Sequence, residues 1–347
     1  MILSSVVYPL VSYLHITPPL LPTPILFALG VAIVALVDLS RIEIFAARGC
    51  GPEEKGRALL SGLAGFVAAA TLFALEPPRT AFAWDPEAGN QAMSSVIRHV
   101  ALKAAPEGMP IEDAVRALTP PPVFLRTLLC AIASCISSQL LGPSVRFVRA
   151  FRLQQEHPEW AGGLVVPSTV GTMKMNLVLL LPGISALSWI DPLFKIPLGL
   201  AEYHAVAVRS CLAVVTGLLF LLTTRLVVQR YLDSALVAWH TYKHGARRTP
   251  SERAAAAQII QTNALIVGQL VVKSAIQIIA PGVFFLACGL VFATLIGHPV
   301  LQSSEPAQDV LALLSCVVGF SLWWAGLMWI VFCSGALWLF RTGTLTT

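Results

Sequence analysis

Residues 249–297, TPSERAAAAQIIQTNALIVGQLVVKSAIQIIAPGVFFLACGLVFATLIG, decide the fold. The stretch opens on a capping box: Thr249 is the N-cap, Pro250 takes the first helical position, and Glu252 reaches back to the cap. No turn signal follows until Gly297-His298-Pro299, and Pro281-Gly282 kinks a helix in lipid without having to end it. At ~1.5 Å per residue the stretch reaches about 70 Å, against a hydrocarbon core of about 30 Å. Such a helix either projects far out of a membrane or bends within it.

Its polar residues form one stripe. Gln258, Thr262, Gln269, Lys273 and Gln277 follow one another at spacings of four, seven, four and four, which keeps them on one helix face. The rest of the surface is apolar, with Ile259, Ile260, Ile266, Leu270, Val271, Ile276, Ile278 and Ile279. Two readings follow. In one, the segment is a wet juxtamembrane helix with a true span from about Lys273 onward. In the other, Lys273 and the glutamines face other helices or a water-filled path.

The rest of the chain fits a membrane setting. Hydrophobic residues make up 56% and charged residues 12%, about half the usual share of charge, which excludes a soluble globular class. The sequence therefore predicts an all-α, polytopic transmembrane helical bundle of about eight spans, one of them very long and Pro-kinked. The expected spans are about 21–39, 58–76, 123–142, 164–190, 204–228, 257–297 and 309–340. Residues 1–18 are a further candidate; without a basic leader or a small-residue cleavage site they do not read as a signal peptide. Ser61, Gly62 and Gly65 give the 58–76 span the small-residue pattern of close helix packing. Residues 77–122 form the sizeable extramembrane segment, read as an extracytoplasmic cap of two amphipathic helices on the membrane surface. The helix at 123–142 is expected to run past Pro143 as a basic extension, and that at 204–228 to run on to His244. Trp323, Trp324, Trp329 and Trp338 in the last span suit interfacial anchors.

Charge sets the expected orientation. Loops 40–57, 143–160 and 225–253 and the C-terminus hold 4, 3, 6 and 1 basic residues, 14 of the 23 in the chain. That side is expected to be cytoplasmic, in an endomembrane or the plasma membrane, with the C-terminus inside. The net charge of +5 lies in short loops, so it speaks to topology and to anionic lipid headgroups rather than to nucleic acid. The seven cysteines form no CxxC pair and read as small packing residues. No sequon surrounds any of the three asparagines.

Chemistry-bearing candidates are few. Lys174, about ten residues into an apolar run and with Asn176 close by, reads either as part of an ion or proton path or as a structural lysine. The latter would pair a neighbouring carboxylate or lie in a span that starts later. Candidate polar-path or interhelical residues are thus Lys174, Asn176, Gln269, Lys273 and Gln277, and Lys273 could pair with Asp38. Candidate lipid-headgroup contacts are Arg146, Arg149, Arg152, Arg230, Arg247 and Arg248. His240 and His244 have metal-chelating spacing, but no nearby carboxylate or cysteine completes a site. Glu202, His204 and Arg209 cluster at the start of a span and read as wet helix-end residues. The chain has no phosphate-cradling glycine loop, no HExxH, no GxSxG and no paired intramembrane carboxylates, so no catalytic activity, metal or cofactor is expected.

From residue 123 onward the order of features resembles the eukaryotic transmembrane protein 161 family. The carrying stretches are Leu141-Gly142-Pro143-Ser144-Val145-Arg146, Pro182 with Trp189-Ile190-Asp191-Pro192, and Arg225 and Arg230 leading to Tyr231-Leu232. Gln277-Ile278-Ile279-Ala280-Pro281 and Trp323-Trp324 complete the series. The resemblance implies an eight-helix endomembrane or plasma-membrane protein with no established catalytic activity and no assigned binding residues, linked to stress tolerance and excitability. The expected role is a non-enzymatic modulator or scaffold of other membrane components. The alternative is a channel or transporter with a polar path near Lys174, Gln269, Lys273 and Gln277.

Overall fold

The computed structural model describes residues 30, 34, 52–75, 81–104, 121, 123–156, 168–244, 274–293 and 305–342. The elements are α1 (Pro52–Ala74), α2 (Pro86–Ala104), α3 (Val123–Gln155), α4 (Thr169–Leu187), α5 (Lys195–Leu198), α6 (Glu202–His244) and α8 (Glu305–Arg341). Between α6 and α8 lies α7, Ser274–Ala293. Among the described residues the fold is all-helical, apart from one antiparallel bridge between Phe82 and Ile190. Six helices, all but α2 and α5, are long and apolar enough to cross a membrane, so the chain is an integral membrane protein. The candidate span at 1–18, that at 21–39 save residues 30 and 34, and the start of the 249–297 helix lie outside the described residues. Within α7 the backbone stays helical through Pro281 and Gly282.

Small residues fix the directions of the helices. Gly62 and Gly65 of α1 meet Ser134, Ser137 and Ser138 of α3, and a side chain at Gly65 would overlap Ser137. Ser61 Oγ adds a hydrogen bond to the Ser137 carbonyl at 3.3 Å. Here the small-residue spacing read from sequence is an antiparallel close contact between two helices, in which the glycines let the backbones approach. Gly217 of α6 and Gly282 of α7 lie against each other, and Gly289 lies on Val214, so α6 and α7 are antiparallel as well. Gly171 packs on Leu226 at one end of the α4–α6 pair, while Ser188 and Arg209 bond at the other. Helices α3, α6 and α8 therefore run one way, and α1, α4 and α7 the other.

This alternation gathers charge at one end. Lys55, Arg57, Arg146, Arg149, Arg152, Arg225, Arg230 and Arg341 all lie at what is called here the basic end. The opposite end is mixed, with Asp85, Glu87, Asp191 and Asp309 beside Arg98, Arg126, Lys195 and Arg209.

Helix α8 is the axis of the bundle and packs against α2, α3 and α4. This corrects one expectation: Trp323, Trp324 and Trp329 are buried, and Trp338 alone of the four is exposed. Trp324 donates its indole N–H to Ser137 Oγ at 2.9 Å, and Trp329 donates to the Val178 carbonyl at 3.1 Å. A run that is apolar all round does not announce which face meets lipid, and the central position of α8 turns its tryptophans into core.

Helix α2 also differs from a lone surface helix. Asp85 caps it, its carboxylate accepting from the Glu87 N–H at 2.8 Å, and Pro86 takes the first position. Its apolar face, with Ala92 and Met93 buried, packs antiparallel along the first turns of α8, where Gly89 meets Cys316 and Ser95 bonds Asp309. The second expected cap helix, near 111–118, lies outside the described residues. Of the six described cysteines, Cys130, Cys288, Cys316 and Cys333 are buried, as packing residues would be.

Candidate functional site

Depth in the bundle can be read from helix pairings. Gly171 lies beside Leu226, so Lys174 stands within about a turn of the level of Arg225. Helix α4 begins at Thr169, capped by Ser168, whose hydroxyl accepts from the Gly171 N–H at 3.3 Å. Lys174 is therefore five residues into the helix, about 7.5 Å from its start. Of the two meanings left open for this lysine, the span that starts later is the one the geometry matches, and the side chain is half-buried. Asn176, also half-buried, is two residues on, about 200° round the helix. The two do not share a face.

Gln277 is 1% exposed on α7, together with the equally buried Ser274. Gly282 packs on Phe220, so about one and a half turns earlier Gln277 reaches the level of Thr224 and Arg225. Gln269 and Lys273, and with them the Lys273–Asp38 pairing, lie outside the described residues. The described members of the polar set thus stand at the basic-end boundary, not at mid-depth.

Above that boundary an aromatic layer crosses the bundle. Phe147 of α3 lies 5.4 Å from Trp329 of α8, which lies 4.8 Å from Phe220 of α6. Phe220 in turn stacks on Phe285 of α7 at 6.1 Å. Trp329 is 2% exposed and tied to α4 through Val178. Four helices meet on this layer, and α4 is held to it by a hydrogen bond.

The arginines divide into two kinds. Arg230 is 6% exposed and donates to Gln154 Oε1 at 2.7 Å and to Asp233 Oδ2 at 3.2 Å. Gln154 passes the network on to Thr172 Oγ1 at 3.3 Å, joining α3, α4 and α6. Arg230 was expected to touch headgroups. The structure instead makes it an interhelical tie, because a buried guanidinium needs fixed acceptors. Arg146 is buried beside the Tyr231 ring, 5.9 Å from its centroid. Arg149 and Arg152 lie at the rim, 5.9 and 5.2 Å from the centroid of Phe340, and Arg152 approaches Glu156 to 3.7 Å. These two are half-buried and Arg225 is exposed. Arg247 and Arg248 lie outside the described residues.

At the opposite end, sequence reasoning missed a buried ion pair. Arg209 is 1% exposed. It reaches Asp191 Oδ1 at 2.5 Å and the Ser188 carbonyl at 2.9 Å, with the rings of Trp189 and Phe194 against its guanidinium. A wet helix end fits His204, which is exposed, and does not fit Arg209. The available signal was the arginine itself. Seven residues into a helix that continues apolar, it demands an internal partner, and Asp191 in the preceding turn is within reach. His240 is half-buried on α6, and among the described residues no three His, Cys, Asp or Glu side chains gather as a metal site.

No family model, no curated protein and no solved structure matches this chain.

Proposed function

We propose that this chain is a non-enzymatic multi-pass membrane protein of the endomembrane system or plasma membrane. In this reading it acts through its surfaces as a modulator or scaffold of other membrane components. The basic end, with Arg149, Arg152, Arg225 and the C-terminus, faces the cytoplasm and sits on anionic lipid headgroups. The resemblance to the transmembrane protein 161 family, an eight-helix plan with a long Pro281-kinked helix, belongs to the same reading. The observation that carries it is the layer Phe147–Trp329–Phe220–Phe285, which fills the middle of the bundle just beyond the polar residues. A channel or transporter is the second reading, favoured by Gln277, an amide buried near membrane depth.

Purified protein in a planar bilayer separates the two. The scaffold reading predicts no conductance above that of the bare bilayer in symmetric potassium chloride at either polarity. Unitary currents that scale with incorporated protein would replace it with the channel.

A further inference from the structure

The segment between α4 and α6 has the build of backbone held in lipid, not of a loop in water. In α6 the run from Ser210 to Thr224 lies between two arginines, about 15 residues or roughly 22 Å, shorter than a ~30 Å hydrocarbon core. One arginine must therefore lie inside the hydrocarbon. Arg225 is exposed and needs water or headgroups, whereas Arg209 is satisfied internally by Asp191 and Ser188. The hydrocarbon accordingly starts near Arg225 and passes Arg209, ending close to Ala205. Helix α4 agrees: from the level of Arg225 to its end at Leu187 it covers only about 24 Å. The turn that follows lies at the depth still to be filled.

Irregular backbone at that depth must satisfy its own polar groups. This turn does. The N–H groups of Ser188, Trp189 and Ile190 bond to carbonyls of Ile184, Ala186 and Leu187. That of Asp191 bonds across to Ala81, and Trp189 returns a carbonyl to the Ala83 N–H. Leu193 and Phe194 donate to the Ile190 carbonyl, Lys195 and Ile196 to that of Asp191, and Pro192 and Pro197 have no N–H to satisfy. The most exposed large side chains are Leu193, Ile196, Leu198 and Tyr203, each at least 60% exposed, with Lys195 half-buried among them. They continue the exposed apolar strip of α4 through Ile184 and Leu187.

We propose that residues 188–203 form a re-entrant cap seated in the leaflet at the opposite end, with Leu193, Ile196 and Leu198 in acyl chain and Tyr203 at the interface. The Arg209–Asp191 pair is the internal brace that holds this cap at depth.

Nitroxide labels at L193C, I196C and L198C, each in liposome-reconstituted protein, test this by collision with oxygen and with a water-soluble nickel chelate. Exposed sites tolerate the label, and three positions protect against one variant failing to fold. Label at V215C, an exposed residue midway between Ala205 and Arg225 on α6, is the lipid reference, and label at Gln91→Cys, an exposed position on α2, is the water reference. Expected are high oxygen and low nickel collision rates, within about twofold of V215C at one or more cap positions. Nickel rates matching Gln91→Cys would overturn the proposal in favour of an aqueous loop. Low rates for both quenchers would overturn it in favour of a covering protein.

Discussion

Asp191→Asn is expected to destabilise the protein by about 3–5 kcal/mol, because it takes the Asp191 counter-charge from a guanidinium that stays charged and buried. Arg209 is 1% exposed, and its acceptors include the Asp191 carboxylate and the Ser188 carbonyl. The substitution removes the Asp191 charge. Asp191 also holds the turn itself: its backbone carbonyl accepts from Lys195 and Ile196, so a shift there loosens the path into α6. The check is thermal unfolding in detergent. The Asp191→Asn protein should unfold several degrees below the parent, while Asp191→Leu combined with Arg209→Met should recover most of the loss. A single variant within about 0.5 kcal/mol of the parent would mean that the pair faces water, where such pairs contribute ~1 kcal/mol or less.

The second large effect belongs to Trp329. Trp329→Ala is expected to cost about 3–5 kcal/mol, the range for truncating a fully buried aromatic side chain. It removes contacts to Phe147 and Phe220 together with the hydrogen bond to Val178, and so loosens four helices at one point. Trp338, nine residues later on the same helix, is the internal control. It is 64% exposed, and Trp338→Ala should stay within about 0.5 kcal/mol of the parent. Equal losses at the two positions would contradict the placement of α8 at the axis.

What the sequence makes legible, and what it hides, follows from the kind of signal each feature leaves. A membrane helix announces itself by length and apolarity, and six of them stand where the apolar runs lie. The α1–α3 contact is legible because Ser61, Gly62 and Gly65 write a local spacing with one use, the close approach of two backbones. The burial of Trp323, Trp324 and Trp329 is not legible: in a helix apolar on every side, the choice of face is made by neighbours far away in sequence. The Arg230–Gln154 tie, spanning 76 residues, is hidden because it is non-local, whereas Arg209 announces its need of a partner and finds it 18 residues away. Lys174 was placed too deep because the apolar run begins before the helix does. Ser168 caps the helix at Thr169, so five residues, not ten, separate the lysine from its end.

The central claim is that water reaches the level of Gln277 from the basic end and stops at the aromatic layer. The protein carries its own reporter for this claim. Cys288, on α7 about three turns beyond Gln277 and past Phe285, is buried. Cysteines placed at Lys174 and Gln277 mark the near side of the layer. The decisive measurement is labelling of intact membranes with a membrane-impermeant, thiolate-selective reagent applied from the basic end. The sealed bundle predicts labelling at K174C, nothing labelled deeper than Q277C, and none at Cys288. Labelling of Cys288 in the otherwise unaltered protein would contradict it and point to a water-filled path through the middle of the bundle.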